Sequence, residues 1–397
     1  MFYTTPNSNL SSILGTSPND IDMPSRGSDR LLLTSVIVLM IIGVLAVYSS
    51  IAYFAQMKGT TAGSLVSGHM IKLVIAFVVM LIFSKIDYQI LARFSRVALV
   101  LSWILLVGVM AYGDVVFGAR RSLSVGSFSF QHSSLASVAL ILHIAVLLRD
   151  KQEYIKDFSR AFLPILFWIV ITCALIGMED FSSAGLLMSV SLVLMFAGRI
   201  NTLHLGTLVL IGLIGGSALV SVSPERQSRL DEYVRQVTDI NSTELVPGAG
   251  YQAQQAYIAI AQGNIFGVGI GKSTQRDFLP APYNDFIFAI IAEEYGVLGS
   301  SFVILLFTFI LLRGVVYIAR NATDVFGTLL ALGCTLCITL YGYVNAAVAS
   351  GLLPVTGLPM PFISYGGTSM LFTGVMIGIL LNISKQNNNR NARFYVG

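Results

Sequence analysis

The chain has 397 residues, 55% of them hydrophobic and 11% charged, with a formal net charge of +4. Soluble domains carry roughly a quarter charged residues, so a mean hydropathy of +0.78 excludes one. The slight basic excess is spread through loops and gives no reason to expect a nucleic-acid partner.

Residues 1–30 are polar and read as an N-terminal tail. The first apolar run is too long for the h-region of a signal peptide, so no cleavable leader is expected. Apolar runs near 20 residues read as membrane helices. Ten candidates follow in order: 31–53, 69–84, 97–113, 134–148, 161–178, 182–198, 202–222, 287–312, 325–349 and 366–384. The predicted fold is an all-α integral membrane bundle of about ten transmembrane helices over 31–385, with a C-terminal tail at 386–397.

Orientation follows from Lys and Arg. One set of loops carries Arg26, Arg30, Lys85, Arg93, Arg96, Arg149, Lys151, Lys156, Arg160, Arg199, Arg313, Arg320, Lys385, Arg390 and Arg393. The opposite short loops carry Lys58, Lys72, Arg120 and Arg121. Both termini are then expected in the cytoplasm.

Arg120 and Arg121 stand in an outer loop, against the trend. A guanidinium fork suits phosphate oxygens; pairing with Asp114 or Asp180 is the alternative. A long extracytoplasmic loop, about 223–286, precedes the eighth span. It holds a charged segment, Pro224 to Arg235, and a turn-rich piece, Asp239 to Gly250. Tyr251 to Gln262 reads as an amphipathic helix on the membrane surface. Gly267 to Ser273 is glycine-rich, but a phosphate loop needs a glycine where Phe266 stands, so nucleotide binding is not expected. A tight turn presenting Lys272 to an anion is the better reading.

Asp285 follows the proline-broken stretch Phe278 to Asn284 and opens an apolar helix. An acid in a membrane chain is costly unless it meets water, a partner or a substrate. Capping and catalysis are both open to it, and they are compatible, because a helix N-terminus keeps a carboxylate ionised. Glu293 and Glu294 lie deeper on the same helix and point about 100° apart; a structural role is expected for the one facing the interior.

Between the last two spans, Gly351 to Ser369 has no charge but three prolines and four glycines. Irregular backbone of that kind at membrane depth must be buried in protein or line a cavity. It is expected beneath Asp285, with the hydroxyls of Ser364, Tyr365 and Thr368 turned toward the substrate or the Asp285 loop. Cys173, Cys334 and Cys337 fall inside spans and read as packing residues. His69, His132, His143 and His204 show no metal-ligand spacing.

Four blocks carry a resemblance to a known family. They are Gly118-Ala-Arg-Arg with Phe128 to Gln131, Gly250 to Ala256, Phe278 through Asp285 to Gly296, and Gly351 through Pro361 to Gly367. From about 30 to 385 the chain resembles the SEDS (shape, elongation, division and sporulation) proteins. These are membrane peptidoglycan glycosyltransferases that include FtsW and RodA, and the division branch is the more similar. There are departures. The family's Gln-Pro-Ser-Glu with a lysine three residues on is here Gln131-His-Ser-Ser134 with Ser137. Its Arg-Trp is Arg121-Ser122, and its Asn-x-Gly-Met is Asn345-Ala-Ala-Val.

The resemblance implies lipid II as substrate, polymerised during cell division, with Asp285 as general base. Arg120, Arg121 and Lys272 would stabilise the pyrophosphate leaving group, and Gln255, Ser364, Tyr365 and Thr368 would contact substrate. No cofactor is required, although a divalent cation, Mg or Mn, could share the charge. A class B penicillin-binding transpeptidase, other divisome proteins and membrane lipids are the implied partners. The implied location is the bacterial cytoplasmic (inner) membrane, with the active site outside. The alternatives are an elongation-type polymerase, a lipid II flippase and a non-catalytic scaffold.

Overall fold

A computed structural model describes residues 28–51, 55, 59–112, 114–116, 119–125, 128–238, 249–279 and 281–394. Its helices are α1 (Arg30–Ser50), α2 (Ala62–Phe83), α3 (Tyr88–Tyr112), α4 (His132–Asp150), α5 (Leu163–Glu179), α6 (Phe181–Ala197) and α7 (Thr202–Val222). Then come α8 (Pro224–Thr238), α9 (Ala249–Gly263), α10 (Ile287–Leu312), α11 (Val325–Ala349) and α12 (Ser369–Phe394). Among the described residues nine helical stretches are long and apolar enough to cross a membrane, and α6 is a shorter tenth. The all-α bundle read from hydropathy is therefore present.

Local chemistry sets the helix starts. Asp29 accepts the amides of Leu31 and Leu32, each at 3.1 Å, and holds Arg313 Nε at 2.6 Å. Thr61 caps α2 and Asp180 caps α6 through Ser183. Each is a side-chain oxygen meeting an amide that the helix leaves unbonded. Helices α4, α11 and α12 form the buried centre, while α2, α3 and α7 face outward along most of their length. Polar groups pair across the bundle. Trp103 donates to Thr172 at 2.9 Å, Tyr343 to Thr308 at 2.9 Å and Tyr341 to Ser183 at 3.1 Å. Such bonds hold helices together where lipid removes any hydrophobic drive to associate.

Gly374 and Gly378 of α12 lie flat on α2. A Cβ at either would come within 2.5 Å of Ala76 O or 2.6 Å of Met80 O. Cys173, Cys334 and Cys337 are buried and unoxidised.

Four details correct the sequence reading. Among the described residues between α3 and α4 lie three short antiparallel strands, β1 (Asp114–Val116), β2 (Ala119–Val125) and β3 (Phe128–Phe130), in that order. Helix α3 begins at Tyr88, so Arg93 and Arg96 ride on a helix, and Arg96 lies over the Trp168 ring. Lys72, counted as a loop cation, is the eleventh residue of the 22-residue α2. Helix α2 starts early because its first turn is capped by Thr61 although Ala62 to Gly68 is only weakly apolar. The last helix also runs past 385 to Phe394.

Candidate functional site

The loop bearing Asp285 is held by backbone contacts from two other elements. Asn345 of α11 donates its amide to Asp285 O at 2.9 Å and to Leu358 O at 2.8 Å. Ser364 donates to Asn284 O at 2.7 Å while accepting the Met360 amide at 2.7 Å. The Tyr365 amide donates to Tyr283 O at 2.7 Å. Within the uncharged 351–369 segment, residues 358–365 thus form a floor under Asp285, whereas Leu352 and Leu353 are exposed. Leu358, Met360, Phe362, Ile363 and Ser364 are all buried. Gly43 of α1 lets that floor approach closely, since a Cβ there would meet Phe362 O at 2.2 Å.

Asp285 itself is half-buried just before α10. Helix α10 opens at Phe286, which makes no side-chain cap. The polar loop before it supplies Tyr283, T-shaped against Tyr365 at 5.5 Å. Burial above all, with Tyr365 and Asp285 adding to it, pushes the Tyr283 hydroxyl up to about 12. Burial also raises Tyr365. Both phenols therefore stay neutral hydrogen-bonding groups near neutral pH.

Glu293 and Glu294 fasten the loop before α10 and the end of α1. One Glu293 oxygen accepts the Thr274 amide at 2.8 Å and hydroxyl at 3.1 Å; the other accepts the Ser273 hydroxyl. Glu294 accepts from Ser49 of α1. The glycine turn exchanges backbone bonds with α10. Val268 and Gly269 donate to Glu293 O and Glu294 O, while Val297 and Leu298 donate to Asn264 O and Ile265 O. This exchange is possible because α10 breaks at Gly296 (φ 67°, ψ −164°), where a Cβ would meet Ile265 O at 2.3 Å. One of the two acids is expected from the sequence to face the interior; both are buried and hydrogen-bonded.

Lys272 lies on this turn and is exposed. Its backbone amide donates to Gly269 O at 3.1 Å. Gln255 is buried on α9, whose Ala253, Ala256 and Ala259 are also buried, and Gly263 abuts the Ala292 backbone. The helix expected on the membrane surface is therefore docked on α10. Thr368 accepts the Gln131 amide at 2.7 Å, joining the floor to the start of α4. Arg120 and Arg121 lie on β2; their side chains are outside the described residues. Asp180, offered as their partner, caps α6. Sequence reasoning passed over Asn345, Tyr283, His69 and Lys72. Their signal was polarity inside or beside a span.

The fold and site define a multi-pass membrane protein with one acid at a helix mouth, set over a buried, uncharged floor. A family model described as "Cell cycle protein", covering FtsW, RodA and SpoVE, matches residues 29–389, and the chain belongs to that family. It is 35% identical over 362 residues to stage V sporulation protein E of Bacillus subtilis, covering 90% of this chain and 97% of the relative. It is 32% identical over 374 residues to the probable peptidoglycan glycosyltransferase FtsW of the same organism, covering 90% and 91%. Among solved structures, it matches a chain from work on structural coordination of polymerization and crosslinking by a peptidoglycan synthase complex. There the TM-score is 0.72 and the identity 21%, covering 91% of this chain and 98% of that one. It also matches the Thermus thermophilus rod shape determining protein RodA, with TM-score 0.66 and 21% identity over 91% and 97%. These two likenesses establish the fold.

Proposed function

We propose that this protein is a peptidoglycan glycosyltransferase that polymerises lipid II during cell division, with Asp285 as the general base. The observation that carries the reading is the hold on Asp285: Asn345 and Ser364 bind the backbone of residues 284 and 285, which fixes the position of an acid just before α10. Relatives named as probable FtsW glycosyltransferases, about a third identical over nine-tenths of the chain, support the activity.

In the reaction, the 4-hydroxyl of an incoming sugar attacks the anomeric carbon of the growing chain. The O4–C1 bond forms as the C1–O bond to undecaprenyl pyrophosphate breaks. The proton passes to the Asp285 carboxylate, a transfer worth roughly 10²–10⁴ in rate. One displacement inverts the α-linkage to β. The departing pyrophosphate is already a stable anion, so the second carboxylate of glycosidases is not required. Arg120, Arg121 and Lys272 remain candidate cations for it, and Gln255, Ser364, Tyr365 and Thr368 candidate contacts. Among the described residues no three His, Cys, Asp or Glu gather to hold a metal. A divalent cation would share the charge of the diphosphate, and no step here depends on one.

The loop charges favour cytoplasmic termini and a site on the outer face of the bacterial inner membrane. A class B penicillin-binding transpeptidase is the proposed partner, consistent with the synthase complex that shares this fold. The test is purified protein in detergent with lipid II, where flipping has no meaning. The parent should form glycan, alone or with its transpeptidase. Asp285→Asn should lose at least a hundredfold in rate, the lower end of what a general base contributes, at an unchanged melting temperature. Parent-like turnover in that variant would remove Asp285 from the chemistry.

A further inference from the structure

Lys72 is the charged residue of α2. The inward stripe of that helix is Val66, His69, Leu73, Ala76 and Met80, the spacing of one helical face. Lys72 stands at the border of the stripe, half-buried. Its Nζ lies 4.7 Å from the centre of the Tyr365 ring. His69, one turn earlier on the same side, stacks on that ring at 5.6 Å. His69 is fully buried, and neither ring nitrogen has a hydrogen-bond partner among the described residues. Tyr365 in turn binds the backbone of Tyr283, two residues before Asp285.

A lysine inside a span normally pairs with an acid or reaches the interface. Lys72 makes no ion pair among the described residues. Ten residues separate it from the start of α2, about 15 Å of helix at 1.5 Å per residue. The ring face of Tyr365 replaces only part of the water an ammonium loses, and the Tyr365 phenol stays neutral. The cation and the buried imidazole are thus both under-satisfied, and they flank the same ring of the floor under Asp285.

We propose that Lys72 is a substrate-binding residue that holds the diphosphate of the polyprenyl-linked substrate, with His69 hydrogen-bonding beside it. This rests on the glycosyl-transfer reading above. A diphosphate presents anionic oxygens to the ammonium and acceptors to an imidazole N–H. The two residues sit one turn apart on α2, so one headgroup can meet both.

The probe is undecaprenyl diphosphate titrated onto detergent-solubilised protein, with undecaprenol as the uncharged control. Lys72→Met keeps the aliphatic stem and removes the charge. It should weaken diphosphate binding by about tenfold or more, the worth of one charge-assisted hydrogen bond. Undecaprenol binding and melting temperature should stay as in the parent. Lys72→Arg should retain most of the affinity. Asp285→Asn should bind the diphosphate at least as tightly as the parent while failing to polymerise. With lipid II, Lys72→Met should raise KM more than it lowers kcat. Parent-like diphosphate affinity in Lys72→Met overturns the proposal. So does an equal loss of undecaprenol binding, which would make Lys72 structural. Binding does not require turnover, so a parent that binds in this way yet never polymerises would sink the reaction and leave the Lys72 site standing.

Discussion

Glu293 is fully buried, and both of its carboxylate oxygens are taken by the segment from Ser273 to Gln275. Removing the acid would strand donors that cannot reach water. Glu293→Ala is expected to lower stability by about 1–3 kcal/mol for each donor left unmet, read as a fall in melting temperature. Glu293→Gln keeps one acceptor oxygen and should fall less. Loss of polymerisation in the alanine variant at an unchanged melting temperature would instead place Glu293 in the chemistry. Tyr283 gives a second residue-scale test. Its folded value lies above the ordinary 10.0, at about 12, so the fold favours the neutral phenol. That contribution is complete below pH 10 and is lost as pH rises from 10 through about 12. The stability difference between the parent and Tyr283→Phe should be constant from pH 7 to 9 and change only in that upper window. A difference that stays flat through the window would mean that ionising the hydroxyl is not opposed by the fold.

At the scale of elements, α10 is two pieces. Gly296 occupies a backbone region open in practice to glycine alone, and the carbonyls of Asn264 and Ile265 replace the helix bonds lost at the break. Gly296→Ala should lower the melting temperature through about 1–3 kcal/mol of backbone strain, plus the collision with Ile265 O. It should also expose the 263–276 segment to protease; unchanged proteolysis would show that the break is not what docks the turn. Hydropathy could not reveal this break, because Glu293 to Gly296 interrupts an apolar run too briefly. The positive φ is decided by a turn about 30 residues earlier, at Asn264 and Ile265. Other features were legible. The nine spans and the shorter tenth follow from apolar length, and the floor within 351–369 follows from its prolines and glycines. The Asp285 loop was found because an acid stands where an apolar helix begins. The short strands at 114–130 escaped because they pair only with one another and form no apolar run. The Gly374/Gly378 contact with α2 was present in the sequence as a small-xxx-small spacing, but which helix it meets is a matter of packing.

For the whole molecule, the strongest untested expectation is sidedness. If the positive-inside reading is right, α8 stands outside the cell and the α4–α5 turn inside. Ser228 on α8 and Ser159 just before α5 are both exposed and are nearly isosteric with cysteine. In right-side-out vesicles, Ser228→Cys should react with a membrane-impermeant maleimide at once. Ser159→Cys should react only after the membrane is opened. The reverse order would invert the topology and put Asp285 on the cytoplasmic face. The buried thiols described above make the measurement direct. Cys173, Cys334 and Cys337 all lie within the packed bundle, so the natural chain should be chemically silent toward such a reagent. Each introduced cysteine would then report its own compartment, with no need to strip the three native ones and risk the packing of α5 and α11.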